Sequence, residues 1–330
     1  MTKKKMASII DQTRSDQSYA QIPTVAVIMS TYNGEKYLAE QIDSILAQKD
    51  VHVELFIRDD GSKDSTREII SYYVNNFDNV YAEFGSNMGF ARSFIHALST
   101  APDFDYYAFS DQDDVWLDEK LITAVKAIQQ EESRNAQNIP IAWHHNLYVA
   151  DSALNVIRKT KLDTRVHSLE SLILRRSIPG CSMVMNKEAG KLAKHKYIPD
   201  LISSRGHELA ILYIMYLVGG KIICTPEVYM YYRQHSNNIV GSPITFKSRI
   251  IREYNKLFKW KHGTEARAAQ TILQKYADEL NTKAKKMLVL VAGHKDNWIY
   301  RLRIFFSPKF RTGDFRLTIL GKIRALLGWL

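Results

Sequence analysis

The first third of this 330-residue chain is built on one recurring pattern, and that pattern fixes its fold class. Short apolar runs end in polar clusters and are separated by stretches of helical periodicity. Residues 25–29 are continuously apolar and mostly β-branched, as in a strand buried on both faces. A polar turn, Ser30 to Glu35, follows, and then Tyr37, Leu38, Ile42, Ile45 and Leu46 recur at helical spacing. Residues 51–57 predict a second strand that closes on Arg58-Asp59-Asp60-Gly61-Ser62. Asp64 or Ser65 can cap the next helix, whose core face carries Ile69, Tyr72 and Tyr73. A weaker strand over residues 80–84 leads to Asn87-Met88-Gly89 and a helix over residues 91–99. The fourth strand, residues 106–109, ends at Ser110-Asp111-Gln112-Asp113-Asp114. This alternation predicts an α/β fold with a mostly parallel sheet. Ligands bind at the carboxyl edge of such sheets, so the polar clusters together predict a site.

A chain of this length holds one catalytic domain and an appendage. Its 45% hydrophobic content, with 18 Tyr and 13 Phe, excludes a disordered protein. Cys181 and Cys224 are too few for a disulfide framework and read as buried small hydrophobes in a reducing cytoplasm. No apolar stretch follows the lysines at the N-terminus, and residues 209–220 form a buried helix rather than a membrane span. Charge divides the chain into a polar extension (1–21), a near-neutral catalytic domain (22–242) and a basic helical region (243–330). That last region holds 19 Lys/Arg against 6 Asp/Glu.

Three carboxylates within four residues, straight after an apolar strand, repel one another unless a cation neutralises them. Mg²⁺ or Mn²⁺ suits Asp111, Asp113 and Asp114, because both are hard ions that also bind diphosphate oxygens. A capped helix start is the structural alternative. Asp60 can accept from a nucleobase imide or hold a ribose hydroxyl, although Asp-Gly is also a standard turn pair. No glycine-rich phosphate cradle occurs, so a bound nucleoside diphosphate would rely on the cation.

Four segments together resemble the successive motifs of family 2 glycosyltransferases of the GT-A fold, a Rossmann-like sheet flanked by helices. They are Val27-Ile-Met-Ser-Thr-Tyr-Asn-Gly34, Arg58-Asp-Asp-Gly-Ser62, Asn87-Met-Gly-Phe90 and Phe109-Ser-Asp-Gln-Asp-Asp-Val-Trp116. The Asp-Gln-Asp-Asp-Val-Trp form, with Pro179-Gly-Cys-Ser-Met-Val-Met-Asn186 and Tyr232-Arg-Gln-His235, is most similar to bacterial rhamnosyltransferases of rhamnan and other surface polysaccharides. The resemblance covers about residues 22–242. It implies a metal-dependent, inverting hexosyltransferase that uses a dTDP- or UDP-sugar, with dTDP-L-rhamnose a candidate donor, to extend a lipid-linked saccharide. It also implies that Ser30, Thr31 and Asp60 meet the nucleobase, and that Asp111 holds the ribose or bridges to the metal. Asp113 ligates that metal with Asp111 and His235, Asp114 supports the loop, and Arg233 and His235 approach the diphosphate. The general base falls on Glu208, in a His207-Glu208 pair where relatives carry His-Asp, with Asp151 and Asp200 the next candidates. A first-turn helix charge is the structural alternative for Glu208, and a strand followed by a polar loop is the alternative for Arg233 and His235.

In the basic region, residues 247–260 and 266–280 predict amphipathic helices. Ile319, Ile323, Leu326, Leu327 and Leu330 share one helical face beside Arg316, Lys322 and Arg324. Such a face suits an anionic bilayer, which places the protein in the cytoplasm, peripheral at the inner face of the cell membrane; a helix packed on the catalytic domain is the alternative. A nucleic-acid-binding protein lacks any supporting motif. Among enzymes, a sugar nucleotidyltransferase is the competing class, since it too uses clustered carboxylates and Mg²⁺.

Overall fold

The computed structural model describes residues 22–135, 138–163, 168–174, 178–195, 206–235 and 263–330. The predicted rhythm is present. Strand β1 (Thr24–Thr31) leads to helix α1 (Leu38–Leu46), β2 (His52–Asp59), α2 (Thr66–Asn76), β3 (Val80–Phe84), α3 (Phe90–Thr100) and β4 (Tyr106–Ser110). These four strands run parallel in the order β3-β2-β1-β4. Strand β2 continues two residues past the apolar run because Arg58 is buried and paired with Asp60, which the sequence reads as the start of a polar turn. Asp64, rather than Ser65 at the cap position, accepts the Thr66 N–H at 3.1 Å.

The second half completes a nine-stranded mixed sheet. Its elements are β5 (Val115–Trp116), α4 (Lys120–Glu132), β6 (Ile141–Ala150), β7 (Val156–Lys159), α5 (Leu169–Leu174), β8 (Val184–Asn186), α6 (Lys187–His195), α7 (His207–Leu217) and β9 (Lys221–Arg233). Strand β8 wedges antiparallel between β4 and β6, β9 runs parallel to β6, and β5 pairs antiparallel with the end of β9. The β5–β9 pairing carries Arg233 back over the acidic cluster that follows β4. Helix α7 is apolar nearly all round and buried accordingly, as predicted.

Helices α8 (Thr264–Tyr276), α9 (Thr282–Gly293), α10 (Trp298–Phe306) and α11 (Phe315–Leu326) follow. Ala268, Ala269, Ile272, Leu288, Val291, Ile304 and Ala325 belong to the same buried cluster as Phe94, Tyr107 and Tyr213 of the sheet layers. A side chain at Gly321 would come within 3.0 Å of Leu174, so α11 packs directly against α5. Leu330 does not share the face read from the sequence. It is buried, and its N–H donates to His294 at 3.2 Å. The predicted helix over 247–260, the charge boundary near residue 242 and Asp200 lie outside the described residues.

Candidate active site

Three parallel strands end side by side, with Thr31 opposite Asp59 and Met29 opposite Ser110. The loops beyond them are locked together by side chains acting as substitute backbone. Gln112 accepts the Tyr32 N–H at 2.8 Å and donates to the Tyr32 carbonyl at 3.1 Å. Gly34 has no Cβ because that atom would sit 2.5 Å from the Gln112 carboxamide. The acidic loop is thereby pinned to the end of β1.

Thr31 is buried, with its hydroxyl 3.4 Å from Asp59. Asp59 organises the turn by accepting from Ser62 and from Arg67 Nε at 2.7 Å. Asp60 is also buried. It accepts from Arg58 at 2.5 Å and from the backbone N–H groups of Met88 and Gly89, each at 2.9 Å. Ser30 donates to Ser93 at 2.7 Å, and Ser93 accepts from Arg58 at 3.0 Å. One network thus joins the ends of β1 and β2 to the start of α3. Ser93 belongs to it without any motif signal to mark it, whereas Arg58 stands within a motif that assigns it no role there.

In the acidic loop Asp114 is fully buried. One oxygen accepts the Arg233 N–H at 3.1 Å, and the other meets no nitrogen or oxygen donor among the described residues. Asp111, Asp114 and Cys181 bring one ligand atom each to within 4.8 Å of one another. Burial, and then the neighbouring Asp113, push the Asp111 carboxyl up to about 7, and Asp114 is raised by the same causes. A buried carboxylate, Asp114, beside a half-buried one, Asp111, is a donor set that a hard divalent cation would satisfy. Cys181 was missed because nothing in the spacing of the sequence links it to residue 111.

Asp113 lies on the open side and meets His235 Nε2 at 2.8 Å. Adjacent ligands of an octahedral ion bound at about 2.1 Å stand about 3 Å apart, so this pair also fits Mg²⁺ or Mn²⁺. The structure therefore groups Asp113 with His235, and Asp111 with Asp114 and Cys181, around the loop that follows β4. Arg233 is buried, and its guanidinium holds that loop from behind. It donates to the carbonyls of Asp113 at 2.8 Å and Ser152 at 2.6 Å, pairs with Glu40, and lies over the Tyr37 ring at 4.4 Å. Tyr37 also packs against His235, with ring centroids 5.0 Å apart.

Lys120, the first residue of α4, is wholly buried near this cluster. Its Nζ donates to the Cys181 carbonyl at 2.6 Å and sits 3.3 Å above the Trp116 ring. Burial pushes its pKa down to about 7, against the pull of Cys181, Asp114 and Asp111. A 2.6 Å bond together with contact on a ring face suits an ammonium better than an amine, so the charged form is the one this geometry accommodates.

Glu208 lies on the far side of the Gly180–Ser182 turn from the acidic cluster. A Cβ on Gly180 would meet His207 Nε2 at 3.0 Å and Glu208 Cβ at 3.5 Å, while the next residue, Cys181, reaches Asp111 and Asp114. Gly206 has φ +92, and a Cβ there would strike the Glu208 carboxylate at 2.6 Å. His207 stacks on Phe94 at 4.2 Å and abuts Phe109. Burial lowers its pKa to about 3, so its 3.5 Å approach to Glu208 is a polar contact of a neutral ring rather than a salt bridge. Asp151, the alternative base, instead accepts from Ala153 N–H, Asn155 N–H and Asn155 Nδ2 in the turn between β6 and β7.

The model of glycosyl transferase family 2 matches residues 26–172, the segment that carries the four strand-end clusters. Over that segment the chain is similar to glycosyltransferase family 2, in line with the resemblance read from its motifs. It is 28% identical over 232 residues to the dTDP-rhamnosyl transferase RfbG of Shigella flexneri, covering 68% of this chain and 77% of that one. It is 32% identical over 170 residues to TuaG of Bacillus subtilis, whose name provisionally assigns it to teichuronic acid biosynthesis. That match covers 49% of this chain and 62% of TuaG, so this chain spans less than two thirds of that relative. Among solved structures, residues 1–349 of S. aureus TarS in complex with UDP-GlcNAc superpose with a TM-score of 0.56 at 17% identity. The alignment covers 92% of this chain and 81% of that one, which establishes the shared GT-A architecture.

Proposed function

We propose that this protein is an inverting, divalent-cation-dependent hexosyltransferase that draws on a dTDP- or UDP-sugar, with L-rhamnose the favoured sugar. Its acceptor is a growing, lipid-linked surface polysaccharide at the cytoplasmic face of the membrane. The observation that carries this reading is the acidic loop at the sheet's carboxyl edge, where Asp111, Asp114 and Cys181 converge. RfbG's name supports a dTDP-rhamnose donor, TuaG's supports a polysaccharide product, and the TarS complex supports a UDP-sugar as the alternative donor.

In this mechanism Ser30, Thr31 and Asp60 border the nucleobase, while Asp111, Asp113 and His235 would hold Mg²⁺ or Mn²⁺. Asp60 acts through the backbone it organises at residues 88 and 89. The cation would supply positive charge to the departing diphosphate. Glu208 accepts the proton of the acceptor hydroxyl as its oxygen attacks the anomeric carbon. The bond to the diphosphate breaks on the opposite face, so configuration inverts. Arg233 acts through the Asp113 carbonyl by keeping the loop closed.

Incubating the enzyme with a panel of nucleotide sugars and Mn²⁺ or Mg²⁺ should release dTDP or UDP from one donor, and chelation should stop the release. Release of pyrophosphate from a nucleoside triphosphate and a sugar phosphate would instead make it a nucleotidyltransferase.

Membrane attachment is assigned to helices α10 and α11. No helix among the described residues is long and apolar enough to cross a membrane. These two helices bury Ile304, Gly321 and Ala325 inward yet leave Phe306 74% and Phe315 79% exposed, with Trp298, Ile299, Ile319, Ile323 and Leu327. Arg303, Lys309, Arg311 and Arg316 are exposed among them. An apolar face fringed by cations fits the headgroup boundary of an anionic bilayer, where each cation contributes about 1 kcal/mol. Truncation at residue 299 would strip buried Ile304 and Ala325 from the core, so substitution is the cleaner test. Phe306→Glu with Phe315→Glu should abolish co-sedimentation with phosphatidylglycerol vesicles and spare turnover on a soluble acceptor. Unchanged sedimentation would refute the attachment.

A further inference from the structure

We propose that Phe90 is the platform on which the acceptor's terminal sugar lies, the exposed ring stacking on the apolar C–H side of a pyranose. That the sugar is the acceptor's rests on the transferase reading given above, with Glu208 as base; the platform itself rests on packing.

Phe90 opens helix α3 and is 41% exposed, although Phe94, one turn later, is buried. Residues four apart share a helix face, so the two rings begin a row that runs from the surface to the core. Phe94 meets Phe109 edge to face at 5.7 Å and stacks on His207 at 4.2 Å, and Phe109 abuts His207 at 4.7 Å. Phe90 stands edge to face against the same imidazole, with ring centroids 6.4 Å apart. Neither nitrogen of His207 finds a hydrogen-bond partner among the described residues, so the imidazole serves this row as a ring. Phe109 lies in β4, two residues before Asp111, and His207 begins α7, one residue before Glu208. The aromatic row therefore ties the strand that carries the acidic loop to the helix that carries Glu208, and Phe90 is its exposed end.

A lone exposed phenylalanine is ordinary on a protein surface. This one is set firmly in place beside open space. Asp60 accepts the N–H groups of Met88 and Gly89, each at 2.9 Å, which fixes the chain as it enters α3. Gly89 has φ +86, and a Cβ there would meet nothing within 4 Å. A ring held rigid before its ligand arrives loses little freedom on binding. Its face carries partial negative charge and attracts the weakly positive C–H hydrogens of a sugar. The Glu208 carboxylate comes within 3.5 Å of the imidazole that Phe90 abuts. A sugar on Phe90 is thus held in the neighbourhood of the group that accepts its proton.

The test is saturation-transfer NMR on the full chain in the presence of dTDP or UDP. The probes are methyl α-L-rhamnopyranoside, methyl α-D-glucopyranoside and methyl N-acetyl-β-D-glucosaminide. At least one should take saturation on its ring C–H protons from the wild type. Phe90→Tyr should keep that signal. Phe90→Ala and Phe90→Leu should lose it by about 5-fold or more, because leucine retains apolar bulk without a flat face. The nucleotide's own signal should be the same in every variant, and Tm should move by only a few degrees. An undiminished sugar signal in Phe90→Leu would overturn the proposal, as would the absence of a signal from every glycoside in the wild type. Loss of the nucleotide signal instead would give Phe90 to the donor and overturn it too. If Phe90→Ala does not fold, Phe90→Leu and Phe90→Tyr decide. Release of dTDP or UDP from nucleotide sugars is scored separately: no release from any donor sinks the transferase reading, whereas a sugar signal that depends on Phe90 still establishes the platform.

Discussion

Replacing Asp113 with alanine is expected to abolish sugar transfer and leave the fold intact. The carboxylate is partly exposed and meets His235, so its loss costs a solvent-screened surface contact. The loop itself is held through groups that alanine retains: the Asp113 carbonyl to Arg233, Gln112 to Tyr32, and Asp114 to the Arg233 N–H. Losing a cation that stabilises a departing diphosphate removes several kcal/mol from the transition state, a fall in rate of about 10³-fold or more. Turnover should be measured by nucleoside diphosphate release across a Mn²⁺ titration, with Tm recorded in parallel and expected to move by only a few degrees. Wild-type turnover at any Mn²⁺ concentration would remove Asp113 from the cation site. A large fall in Tm would mean that it supports the loop instead.

What the sequence made legible follows from how each signal is encoded. Strands β1, β2 and β4 are continuous apolar runs because both their faces are covered, and their polar ends mark the edge that gathers the site. Strand β8 spans three residues, too few to register as a run, and β6 hides behind the polar letters of His144, His145 and Asn146, all buried. The residues that position the acidic loop are harder still. Lys120, in Leu-Asp-Glu-Lys, reads as one of a solvated charge cluster, and only three dimensions place it between Trp116 and Cys181. Arg233 is visible in its motif but reads as a phosphate ligand, whereas its guanidinium turns inward to backbone carbonyls. Motifs locate where chemistry gathers, because short loops at strand ends keep their residues together. The supporting contacts cross 60 residues or more of sequence, and no local pattern records them.

The same limit bears on Glu208, which the sequence offers both as a base and as a first-turn helix charge. The structure sets its Cβ beside the turn that borders the acidic cluster, next to a histidine that burial keeps neutral. A neutral His207 adds no positive charge that would weaken the carboxylate as a proton acceptor. Glu208→Gln preserves shape and the packing of α7 but cannot take a proton from the acceptor hydroxyl. Its kcat should fall by about 10²–10⁴-fold while donor KM and Tm stay near wild type. The companion Glu208→Asp shortens the arm by one methylene, keeps a carboxylate, and should retain appreciable activity. If Glu208 were only a helix charge, both variants would turn over like wild type, and Glu208→Gln would show its effect in Tm through the lost interaction with the N-terminal dipole. Comparable kcat in Glu208→Gln and wild type would therefore move the base elsewhere. The carboxylate of Asp151 is already committed to its own turn, so Asp200 would be the next residue to replace.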